Sequence, residues 1–199
     1  MKENNNSTPE KTKSELIKEL TKYKEEGCAL YKGKKIEEAK GKFKEGFDKY
    51  ENEISSLTKD SSNDEEYNEI ILLGKKILSN LALCYYKQGD YSNAITYDFK
   101  LLNDHPNFGK SIVRLFKSSC KLNKIKEAVY YGELFLKLDE ETKNKFKGTE
   151  KKVKEVQLKL EKIKKEEEEE ERKKNSSGKY FLPCVILCIA VLFYLLRKK

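Results

Sequence analysis

The residues able to do chemistry are few. His105 is the single histidine and stands directly before Pro106. The cysteines are Cys28, Cys84, Cys120, Cys184 and Cys188, and no two form a CxxC pair. A zinc site takes about four closely placed ligands, and a Ser or Cys nucleophile needs a base within reach. Neither set is assembled, and there is no glycine-rich phosphate loop. The expectation is a protein with no catalytic residues, no metal site and no cofactor, its cysteines reduced and acting as small hydrophobes. The remaining polar chemistry is basic. Lys110 and Arg114 stand four apart and share one face of a helix. An ammonium beside a planar guanidinium can hold a terminal and a side-chain carboxylate together. Asn80 can donate a hydrogen bond without adding charge. Arginine occurs only as Arg114, Arg172 and Arg197, so its position says more than that of any one lysine.

The elements that must position these groups read as helices. Charged residues make up 38% of the 199 and hydrophobic ones 37%, with no Trp. The net charge is +8, but Lys and Glu are interleaved, which argues against nucleic-acid binding. Small residues recur at twelve-residue intervals: Gly27 and Ala39, then Ala82 and Ala94, with Pro106 a further twelve on. Antiparallel helices approach closely only where small side chains face each other and bulkier ones fill the space beside them. Leu30, Phe43, Tyr85 and Tyr91 supply that bulk, Gly33 and Gly89 mark the turns, and Pro106 ends a helix. Ala128 holds the small position of a third pair. Phe116, twelve residues earlier, stands where a small residue is expected, which predicts looser or rotated packing between the second and third repeats. Ser/Asp/Asn-rich sequence between Glu51 and Asn68 reads as an inserted surface loop.

This pattern resembles the tetratricopeptide repeat, a helix–turn–helix unit of about 34 residues. The resemblance implies an all-α fold with repeats at about 20–53, 75–107 and 109–141, within a domain over 14–141. It also implies a groove lined by the first helix of each repeat. In the cochaperone branch, two Lys, two Asn and one Arg form a carboxylate clamp for the acidic C-terminal tail, ending Glu-Glu-Val-Asp, of heat shock protein 90 or 70. The family's KxxGN reads Lys24-Glu25-Glu26-Gly27-Cys28 here, so Lys24 matches and Cys28 replaces the asparagine. Asn80-Leu81-Ala82 matches the second repeat, and Lys110 through Arg114 matches KxxxR in the third. The implied peptide-binding set is Lys24, Cys28, Asn80, Lys110 and Arg114. The repeat region is most similar to that of the large immunophilins, one of which is tail-anchored. Their isomerase domain has no counterpart before Ser14, so isomerase activity is not implied.

The flanks complete the expected organisation. Residues 1–13 are polar, Asn-rich and expected to be disordered, with no signal peptide. Residues 142–165 carry Phe146, Val153, Val156, Leu160 and Ile163 at helical spacing and read as a capping helix. Residues 166–179 form a charged linker with a hinge at 175–178. From Tyr180 to Leu196 the chain has 17 residues without a charge, at the short end of the roughly 17–25 that span a bilayer. Basic residues flank it, and 197–199 form a basic tail. The expectation is a single transmembrane helix serving as a tail anchor, with a monomeric repeat domain facing the cytosol. The mitochondrial outer membrane and the endoplasmic reticulum both fit. The expected function is a membrane-anchored cochaperone binding heat shock protein 90 or 70. The alternative is a scaffold of organelle import or fission with a different protein partner.

Overall fold

A computed structural model of the chain describes residues 12–57 and 64–196, with side chains through 173. The described residues form helices and no strands: α1 Lys13–Lys32, α2 Ile36–Ile54, α3 Glu65–Lys87, α4 Tyr91–Asp104, α5 Gly109–Lys121, α6 Ile125–Leu136, α7 Glu140–Asn144 and α8 Thr149–Leu196. The chain divides into two units, residues 1–153 and 154–199.

In the first unit the helices pack as three successive hairpins, α1 on α2, α3 on α4 and α5 on α6, with α2 also against α3 and α4 against α5. Small residues govern the approach. A Cβ built on Gly27 would lie 2.5 Å from Cε1 of Phe43, and one on Gly46 would lie 2.7 Å from Cβ of Tyr23. Phe43 fills the space that Gly27 leaves and is 1% exposed, a burial that contributes about 1.5–3 kcal/mol. Ala39, Ala82, Ala94 and Ala128 are all fully enclosed.

The turns repeat in register. Lys34 (φ 63°), Gly89 (φ 82°) and Asn123 (φ 55°) are left-handed, and each precedes the buried Ala39, Ala94 or Ala128 by five residues. The reversal in the first hairpin therefore falls on Lys34, not on Gly33, whose φ is −73°.

Several expectations are corrected. Phe116, for which looser or rotated packing between the second and third repeats is expected, is 1% exposed, among the largest fully buried side chains. Ordered structure starts inside the expected N-terminal tail, because Thr12 and Glu15 form a capping box that starts α1 at Lys13. The inserted loop is shorter than 51–68, since α2 continues to Ile54 and α3 starts at Glu65 with Asp64 as its cap. The helix expected over 142–165 is broken: α7 ends at Asn144, Gly148 turns left-handed at φ 81°, and α8 begins at Thr149. Early in α8, Val153 is fully buried and packs on Gly132, where a Cβ would meet it at 2.8 Å.

In the second unit, α8 stays helical through the expected linker and hinge of 166–179. Glu, Lys and Arg are strong helix formers, and opposite charges four apart support one another. Among the described residues no helix is long and apolar enough to cross a membrane. The run 180–196 lies outside the residues whose side chains are described, and residues 1–11 and 197–199 lie outside the description altogether.

Candidate binding groove

The first helices of the second and third hairpins form a groove. A cavity of about 350 Å³ lies between α3 and α5, lined on α3 by Ser79, Asn80, Leu83, Tyr86 and Lys87 and on α5 by Lys110, Val113, Arg114 and Lys117. Phe146 closes one side. Helical periodicity explains the set: Asn80, Leu83 and Lys87 share one face of α3, and Lys110, Arg114 and Lys117 share one face of α5. Phe146 arrives through the α7–α8 connection. Gly109, at the start of α5, admits Thr142 where a Cβ would lie 2.5 Å away, with Phe146 beside it.

Of the expected residues, Asn80, Lys110 and Arg114 meet around this cavity. Cys28, on α1, does not line it but accepts a hydrogen bond at its Sγ from Asn80 Nδ2 at 3.6 Å. Lys24 lies one turn earlier on α1, does not line the cavity, and sits 3.9 Å from Glu25. Lys110 is exposed and has no carboxylate within ion-pair distance among the described residues.

Arg114 differs from the sequence expectation. It is buried and donates from Nε to Asp98 Oδ2 at 2.7 Å and from Nη2 to Asp98 Oδ1 at 2.5 Å. Asp98, on α4, is fully buried. Burial raises its carboxyl above the ordinary range against the opposing pull of the Arg114 guanidinium. The pair is bidentate, so much of Arg114's charge is already met within the fold. Its field still reaches Tyr31, Cys84 and Tyr86. Burial pushes the Cys84 thiol up to about 11 despite that field, which leaves it an inert core group.

The sequence reading missed Asp98, Lys87, Lys117 and the place of Phe146. Lys117 follows Lys110 by seven residues and Arg114 by three, and Lys87 follows Asn80 by seven, so both lysines carried a periodic signal. Asp98 carried none, because its role depends on how α4 meets α5. The groove as a whole presents Lys87, Lys110, Arg114 and Lys117 with no carboxylate in its lining, beside Leu83, Tyr86, Val113 and Phe146. Such a surface can hold an anionic group next to an apolar one. Among the described residues no cluster of His, Cys, Asp and Glu is placed to hold a metal ion.

Comparison with solved structures assigns the architecture. The chain superposes on the C-terminal TPR-containing domain of a Plasmodium falciparum FK506-binding protein with a TM-score of 0.57 at 24% identity, over 76% of this chain and 99% of that one. The fold is that of a tetratricopeptide-repeat domain. The chain also superposes on a multi-domain immunophilin from Arabidopsis thaliana (TM-score 0.57, 20% identity, 65% of this chain and 48% of that one). It superposes again on the Hsp90 co-chaperone Cns1 from Saccharomyces cerevisiae (TM-score 0.52, 22% identity, 80% of this chain and 47% of that one). The chain therefore spans about half the length of the last two. No protein-family model matches the sequence, and no curated protein matches it.

Proposed function

We propose that the protein is a membrane-anchored TPR adaptor whose groove grips the acidic C-terminal peptide of heat shock protein 90 or 70. The observation that carries this reading is the α3–α5 cavity, basic at Lys87, Lys110, Arg114 and Lys117, with the neutral amide of Asn80 beside them, apolar at Val113 and Phe146, and free of lining carboxylates. A C-terminal carboxylate sits between Lys110 and Asn80, with the buried Arg114 in the cavity wall adding its field. An apolar side chain near the peptide's end packs on Phe146 and Val113. The fold shared with domains from an FK506-binding protein and an Hsp90 co-chaperone supports the choice of partner. Anchoring is proposed through Tyr180 to Leu196, on its uncharged length and basic flanks, with the groove on the cytosolic side of the mitochondrial outer membrane or the endoplasmic reticulum.

The test is binding of a fluorescent peptide ending Glu-Glu-Val-Asp to the full-length chain in non-ionic detergent. Affinity should fall with added salt, because charges in an open groove are screened, and should be lost when the peptide's terminus is amidated. Equal binding of free and amidated peptides would exclude a carboxylate clamp.

The second reading, a scaffold of organelle import or fission with another protein partner, is favoured by two observations at the clamp. Cys28 engages the Asn80 amide, and Asp98 already occupies the Arg114 fork. Absence of binding to any chaperone tail would leave this reading in place.

A further inference from the structure

In the first hairpin several lysines are matched to carboxylates, as Lys40 is to Glu37 at 2.8 Å and Lys42 to Glu45 at 2.8 Å. The far end of the groove is built differently. Lys87, the last residue of α3, and Lys117, on α5, both line the cavity. Neither has a carboxylate within ion-pair distance among the described residues. Lys117 is half-buried, and its ammonium is held below the ordinary lysine range by burial, then by Lys152 and Lys87. Two ammonium groups thus line one cavity that has no carboxylate in its lining, and Lys152 adds to the positive field on Lys117. Such repulsion is relieved by an anion from outside the chain.

The spacing places this cluster relative to the clamp. Lys87 follows Asn80, and Lys117 follows Lys110, by seven residues. Seven helical residues rise about 10 Å, the length of about three residues of extended peptide. A chain whose terminal carboxylate lies between Asn80 and Lys110 therefore brings the side chain three places upstream to Lys87 and Lys117.

We propose that Lys87 and Lys117 form a second anion subsite that takes the side-chain carboxylate three residues before the C-terminus of an acidic peptide ligand. This rests on the reading of the groove as a peptide site. The subsite adds a length requirement: two anions held one groove-length apart, with the apolar wall of Leu83, Tyr86 and Val113 between them.

The experiment compares two fluorescent peptides on the full-length chain in non-ionic detergent, one ending Glu-Glu-Val-Asp and one ending Gln-Glu-Val-Asp. The glutamine peptide should bind roughly three- to tenfold more weakly, the range of an ion pair at a partly screened site. In the Lys87→Gln/Lys117→Gln variant the two peptides should bind alike. A variant that still discriminates, or a native chain that never does, overturns the subsite. If neither peptide binds, the chaperone-tail reading falls instead, and a second measurement decides the subsite. Acylation of Lys117 by an amine-reactive ester, followed by mass spectrometry, should outpace that of the exposed Lys121 and be slowed by inorganic phosphate. Equal rates that ignore phosphate overturn the subsite by themselves.

Discussion

Arg114 on α5 and Asp98 on α4 are joined by two hydrogen bonds, at 2.7 and 2.5 Å, in a site where Asp98 has no solvent exposure. The pair ties the second hairpin to the third and aims the guanidinium along the groove wall. Removing either partner leaves an uncompensated buried charge, which costs about 3–5 kcal/mol. Arg114→Ala and Asp98→Ala should each lower the urea midpoint by that order, and Asp98→Leu/Arg114→Met should recover much of the loss. Near-neutral single variants would contradict the burial of the pair. Loss of peptide binding in Arg114→Ala is therefore a poor reporter of the groove. Lys110→Ala, at an exposed position, is the cleaner test and should weaken binding roughly tenfold by loss of a charge-assisted contact.

Cys28 holds the Asn80 amide at 3.6 Å through a weak sulfur acceptor. Cys28→Asn places an additional amide donor at the edge of the groove. The peptide ending Glu-Glu-Val-Asp should then bind more tightly, by about 0.5–1.5 kcal/mol. Titration calorimetry reads the change, and unaltered or weaker binding would mean that position 28 does not face the ligand.

The left-handed turn residues differ in suitability. Gly89 accepts φ 82° freely, whereas Lys34 holds φ 63° with a Cβ, an arrangement disfavoured by about 1–2 kcal/mol. Lys34→Gly should stabilise the domain by roughly 0.5–1 kcal/mol, the remainder being offset by the greater freedom of glycine in the unfolded chain. Gly89→Val should destabilise it. Thermal melts of the two variants should move in opposite directions.

Two glycines in the first hairpin make a matched pair. Gly27 faces the Phe43 ring at 2.5 Å from any added Cβ, whereas a Cβ on Gly41 meets nothing within 4 Å. Gly27→Val should cost about 1–3 kcal/mol through overpacking. Gly41→Ala, in the exposed interior of α2, should gain about 0.5–1 kcal/mol from helix propensity. Chemical denaturation of both variants checks the sign of each.

His105 caps α4 and titrates below its ordinary 6.5, through burial first and then Lys75, with Asp104 opposing. The unfolded chain binds the proton more readily, so this group's contribution to stability is present above 6.5 and declines as pH falls through and below that value. Unfolding free energy measured against pH should show this acid-side slope, and His105→Gln should flatten it.

The helices and their pairing were legible in the sequence because both are local consequences of residue type. Twelve-residue spacing from Gly27 to Ala39 and from Ala82 to Ala94 implies hairpins, since only small side chains permit that approach. The same periodicity placed Asn80, Lys110 and Arg114 on helix faces that the fold turns toward one cavity. Helix breaks were read less well. Lys34 adopts a glycine-like turn against its local preference, Asn123 does so as a residue that tolerates the left-handed region, and Gly148 divides a run whose apolar spacing continues across it. The partner of Arg114 could not be read at all. Asp98 looks like any other acid on an amphipathic helix, and its burial follows from the crossing of α4 and α5. The meeting of Lys87 and Lys117 at one cavity is likewise a product of assembly. Sequence periodicity assigns a residue to a face of its own helix, but Coulomb energy and desolvation depend on which other faces come within a few ångströms, and only the tertiary structure decides that.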